Sequence, residues 1–91
     1  MAAKKSLLDK MKANPAKGWS IKDIGTLCNQ VGLVLKPPSS GSHHKVLSDL
    51  LHGAVTVPYK RPVKAFYIKQ IVSFAEAHIA EREARVERGK Q

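Results

Sequence analysis

The chain has 91 residues, 43% of them hydrophobic and 25% charged, the scale of one small domain, which excludes an enzyme carrying a separate cofactor-binding half. Sixteen Lys and Arg against seven Asp and Glu give a net charge of +9, an imbalance that suits a polyanionic partner. The single cysteine, Cys28, excludes an internal disulfide, and no Cys-x-x-Cys pair points to structural zinc. With neither an apolar run of about 18 residues nor a signal-peptide pattern, a cytoplasmic protein without a membrane partner is expected.

Residues 1–16 form an N-terminal extension with a short amphipathic helix, in which Ser6 is the N-cap, Leu7, Leu8 and Met11 share a side, and Asn14-Pro15 closes the segment. The next helix is spelled by Ser20-Ile21-Lys22-Asp23, a capping box, and by Ile21, Ile24, Leu27, Cys28 and Val31 at helical spacing. Gly32 suits the left-handed position that ends it, so the helix is predicted over residues 20–31. On that apolar stripe Cys28 reads as a small buried hydrophobe rather than a nucleophile.

Leu33-Val34-Leu35-Lys36 predicts a strand, stopped by the turn-rich Pro37-Pro38-Ser39-Ser40-Gly41. A second strand starts near Ser42 and runs through His43-His44-Lys45-Val46-Leu47, and after a break at His52-Gly53 a third, Ala54-Val55-Thr56-Val57, stops at Pro58. Arg61-Pro62 suits a helix start, and Tyr67, Ile68, Ile71, Phe74, Ala75 and Ile79 give a long helix from about residue 63 into the eighties. Residues 81–91, with mixed charges and no full apolar face, are expected to be a fraying, solvated tail. The main domain spans 17–80: an α+β fold of order α-β-β-β-α, with a three-stranded antiparallel sheet, two helices on one face and the other face open. Its core is mostly aliphatic and its stability marginal without a partner.

The charge is concentrated in the middle. Between Ile24 and Ala75 the only acid is Asp49, against Lys36, Lys45, Lys60, Arg61, Lys64 and Lys69. Nucleic-acid phosphates are the natural match for such a surface. Four histidines offer acid–base chemistry near neutrality. His78 reads as a helix-end cap for carbonyls and His52 as a turn residue, whereas His43 and His44 open a strand. Neighbouring strand residues point to opposite faces, so with Val46 in the core His44 shares the buried face and His43 shares the open face with Lys45. Adjacent strand histidines with no third ligand in register argue against a metal site.

Taken together, Gly41-Ser42-His43-His44-Lys45-Val46, Val55-Thr56-Val57-Pro58, and Arg61-Pro62-Val63-Lys64 with Tyr67-Ile68-Lys69-Gln70 resemble the HicA family of bacterial type II toxins, over roughly Lys17 to Glu76. The resemblance implies a double-stranded-RNA-binding-domain-like fold, an endoribonuclease that cuts messenger RNA, and neutralisation by a HicB-type antitoxin. The family's active histidine follows Gly-Ser, which carries over to His43, with His44 as the alternate. The Pro37-Pro38 approach and the charged tails depart from the commoner family pattern, without removing a residue the chemistry needs.

RNA cleavage through the 2′-hydroxyl requires a base, cations around the pentacoordinate phosphate and an acid for the leaving oxygen. On the resemblance and the strand parity together, His43 is expected to transfer the proton, Lys45 with Lys60, Arg61 or Lys64 to hold the phosphate, and Ser42 or backbone N–H groups, next to Gly41, to position it. The sequence implies no metal and no small-molecule cofactor. The alternatives are a non-catalytic RNA- or DNA-binding module using the same basic face, and a structural subunit whose lysines neutralise ribosomal RNA.

Overall fold

A computed structural model describes residues 6–39, 41, 43–59 and 62–89. Its elements are α1 (Leu7–Ala13), α2 (Ile21–Val31), β1 (Val34–Lys36), β2 (His43–Leu47), β3 (Ala54–Pro58) and α3 (Ala65–Gly89). Each early helix begins where the sequence offers a cap. The Ser6 hydroxyl accepts from the Asp9 amide at 3.2 Å. At α2 the capping box is reciprocal: the Asp23 amide donates to the Ser20 Oγ at 3.3 Å, and the Ser20 amide donates to the Asp23 carboxylate at 2.9 Å. Together they satisfy donors that a helix start leaves without partners. Gly32 ends α2 at φ 90°, a left-handed conformation that disfavours a side chain.

The three strands are antiparallel in the order β1-β2-β3. Leu35, Val46 and Val55 form one cross-strand row on the side facing the helices, and His44 pairs with Val57 on the same side. An added Cβ at Gly25 of α2 would stand 3.5 Å from Leu35 Cδ2, which shows how closely this helix lies over β1. Ile24, Leu27, Cys28 and Val31 of α2 meet Ile68, Ile71, Val72 and Ala75 of α3 in a core completed by Val46, Val55 and Val57. Burial of each large aliphatic side chain contributes about 1.5–3 kcal/mol, so these residues dominate the stability of the fold. The same face of the sheet is thus covered by both helices, the expected α+β arrangement.

The N-terminal helix is joined to this core. Met11 of α1 is fully buried, and Lys12 donates to Glu76 of α3 at 2.7 Å. That carboxylate also holds the Lys12 ammonium above its ordinary pKa. Trp19 ties the connection down, since its indole N–H donates to the Asn14 carbonyl and its own carbonyl accepts from Val63, both at 2.8 Å.

Two expectations are corrected in α3. Residues 81–89 continue the helix instead of fraying, because Glu81 pairs with Arg85 at 2.9 Å and Arg88 at 3.2 Å, while Arg82 donates to the Val31 carbonyl at the end of α2. Arg, Glu and Ala are also strong helix formers, so a full apolar face is not needed. Consequently His78 lies within the helix rather than capping its end. It is 2% exposed, and its Nδ1 is 2.7 Å from the Ser48 Oγ just after β2. Ser48 accepts from the amides of Leu50 and Leu51, which leaves its own proton to donate to the imidazole. The β2–β3 turn is thereby fastened to α3, and Ser48 interrupts the strand alternation because β2 ends at Leu47.

Candidate functional site

The open side of the sheet is built from the residues that alternate with the core. Its rows are His43 with Pro58, then Lys36, Lys45 and Thr56, then Val34, Leu47 and Ala54. Val46 and Val55 are buried while Lys45 and Thr56 are exposed, so strand alternation assigns the faces without ambiguity. His43 is exposed on the same face as Lys45. They stand two positions apart along β2, about 6.7 Å at strand rise. Among the described residues this face holds no carboxylate. Asp49 lies in the turn beyond Leu47, at the end of β2 remote from His43.

His44 occupies a different environment. It is half-buried on the helix side, its ring centroid is 5.8 Å from that of Tyr59, and its Nδ1 is buried with no hydrogen-bond partner among the described residues. An exposed imidazole with fixed cations alongside can exchange a proton with a phosphate-bound substrate, and among these two neighbours His43 has that placement.

Gly41 leads into β2 with φ 80°, and nothing lies within 4 Å of where a Cβ would stand. A left-handed turn therefore aims the chain into β2, and the backbone there is open to close approach. Ser42, Lys60 and Arg61 lie outside the described residues. Lys64 is exposed at the entrance to α3, where its carbonyl accepts from Tyr67 and Ile68 and the adjoining Val63 is held by Trp19. This puts the Lys64 backbone in the helix layer, not on the sheet face with His43 and Lys45.

Lys36 was not singled out as a site residue by sequence reasoning, because its position opposite Lys45 depends on the β1–β2 register. Alternation alone placed neither strand relative to the other. His52 is exposed in the bend before β3, as a turn residue should be. The Cys28 thiol is 2% exposed, and burial pushes its pKa up to about 11, which disfavours the nucleophilic thiolate. Among the described residues no three His, Cys, Asp or Glu side chains come together as a metal-binding group. No described helix is long and apolar enough to cross a membrane.

No family model, curated protein or solved structure matches the chain.

Proposed function

We propose that the protein is a metal-independent endoribonuclease of the toxin type, acting on messenger RNA in the cytoplasm, with His43 as the proton-transfer group. The observation that carries the reading is the placement of an exposed histidine on an uncovered, cationic sheet face. The substrate supplies the nucleophile: the 2′-hydroxyl oxygen attacks the adjacent phosphorus, and the bond from phosphorus to the 5′-oxygen breaks. His43 takes the hydroxyl proton, Lys45 offsets the charge gathering on the phosphate oxygens, and the imidazolium returns a proton to the departing 5′-oxygen. The products are a 2′,3′-cyclic phosphate and a free 5′-hydroxyl. One histidine serving both proton transfers makes for slow turnover, adequate for a toxin that acts by damaging messages.

The same surface suits a HicB-type antitoxin whose acidic groups neutralise the cations and cover His43. A partner bound only to the folded toxin stabilises it by mass action, about 4 kcal/mol at a thousandfold excess over Kd, so the complex is expected to melt well above the isolated chain. Equal melting temperatures in a co-purified sample would remove this partner.

A second reading, a non-catalytic RNA- or DNA-binding module, draws on the exposed cations of the open face and on Tyr59, which is 56% exposed just past β3 beside His44, not His43. Such a ring offers a base-stacking surface that requires no chemistry. The two readings part in one assay. Folded protein in EDTA is incubated with a single-stranded RNA and with its all-2′-deoxy counterpart, and the product ends are mapped. Cleavage of the RNA alone, leaving cyclic phosphates, supports the ribonuclease; binding of both without cleavage of either supports the module.

A further inference from the structure

Lys36 of β1 and Lys45 of β2 are direct register partners, and both are exposed on the open face. Directly opposed side chains stand about 4.5–5.5 Å apart at Cβ, and like charges so placed destabilise a sheet. Neither lysine makes a salt bridge or side-chain hydrogen bond among the described residues. Their flanking residues bring no relief: Thr56 follows Lys45 in the row, and the next row along is the apolar Val34, Leu47 and Ala54.

Lys10, Lys22, Lys64 and Lys69 are also without a salt bridge among the described residues, so what distinguishes Lys36 and Lys45 is their direct opposition in the sheet, while four other cations have partners. Lys12 is matched to Glu76, Arg85 and Arg88 to Glu81, and Arg82 to the Val31 carbonyl. The opposed lysines thus form a repulsive pair on a face that folding leaves uncovered, and an anion between them would remove the repulsion. A phosphodiester has two non-bridging oxygens sharing one charge, so each ammonium can take one oxygen. The pair lies one row from His43, close enough for the same phosphate to meet the imidazole.

We infer that Lys36 and Lys45 act as a two-lysine clamp on one backbone phosphate of single-stranded RNA, the phosphate presented to His43. The inference rests on the open face being the RNA site and adds Lys36 to it. Because the clamp grips the phosphate and not the sugar, it holds 2′-modified strands as well as RNA. It also fixes how many phosphates the two lysines neutralise: one, not two.

That number is measurable from salt dependence. Wild type, Lys36→Gln, Lys45→Gln and the double variant are titrated by fluorescence anisotropy against an all-2′-O-methyl oligoribonucleotide, which has no free 2′-hydroxyl to be cut, across a salt series. For a single strand each neutralised phosphate contributes about 0.7 to the slope of log K against log salt. The double variant is expected to be shallower than wild type by about 0.7, each single variant to bind more weakly than wild type, and all three to melt no lower than wild type. A decrease of about 1.4 would mean two separate phosphates, and an unchanged slope would mean no contact; either overturns the clamp. If wild type fails to bind the oligomer, the clamp and the RNA site fall together. If the slope changes as expected while ordinary RNA stays uncut in parallel samples, only the cleavage reading falls.

Discussion

On the covered side of the sheet Leu35, Val46 and Val55 form a row beneath α2 and α3, whereas the next residue on β1, the preceding one on β2 and the following one on β3 put Lys36, Lys45 and Thr56 into solvent. The same strands therefore carry two unrelated compositions at a period of two residues. A one-residue slip would drive the lysines into the core and the valines into water, so the covered face fixes the register that assembles the open one. Residues that hold the fold together and residues left free in solvent thus alternate one by one along each strand.

The largest expected effect on the covered side comes from Ile68→Ala, which empties part of the fully buried contact between α3 and the core. It should lower unfolding free energy by about 2–5 kcal/mol in urea denaturation while the folded fraction retains the wild-type salt slope for RNA. A changed slope would show that the two faces are not independent.

Next comes Ser48→Ala, which takes the acceptor from the Leu50 and Leu51 amides and the donor from His78. A loss of about 1–3 kcal/mol is expected, with faster hydrogen exchange in the β2–β3 turn. Unaltered exchange there would mean that this network does not fasten the turn to α3.

Cys28 gives the pH dependence of the covered side. Burial pushes its thiol up from an ordinary value of 9.0 to about 11. The unfolded chain therefore loses the proton first, and stability present below pH 9 declines as pH rises toward 11, on the order of 2 kcal/mol for this group. The decline in melting temperature over that interval should be smaller in Cys28→Ala than in wild type. Identical declines would contradict the burial argument.

The smallest effect belongs to the open side. Thr56 is exposed opposite Lys45, and Thr56→Ala should change stability by no more than about 0.5 kcal/mol in the same urea titration. A larger loss would mean that the open face contributes to the fold as well.

Much of this division is legible in the sequence, since Val46 as a core residue sets the strand parity that sends His44 to the covered side and His43 and Lys45 to the open one, and the Ser20 capping box and Gly32 stop bracket α2. What sequence periodicity cannot supply is long-range pairing. Lys36 meets Lys45 through a register set by the whole sheet, and His78 meets Ser48 thirty positions away along the chain, a contact that local sequence does not show. The helical course of residues 81–89 was hidden for a related reason. Its support comes from charge pairs four and seven residues apart in combination with the contact of Arg82 to α2, and an apolar stripe is not what holds it. Lys64 stands at the entrance to α3, beside a Val63 held by Trp19, a long-range contact that proximity to β3 along the sequence does not reveal.

The most direct test compares neighbours that the sheet sends to opposite sides. Single-turnover cleavage of one single-stranded RNA in EDTA is measured for wild type, His43→Ala and His44→Ala, with the melting temperature of each recorded on the same preparation. His43→Ala is expected to lose at least about a hundredfold in rate with an unchanged melting temperature, while His44→Ala alters stability more than it alters the rate of the folded fraction. Full activity in His43→Ala, or a folded His44→Ala protein that alone has lost cleavage, would contradict the assignment of proton transfer to His43.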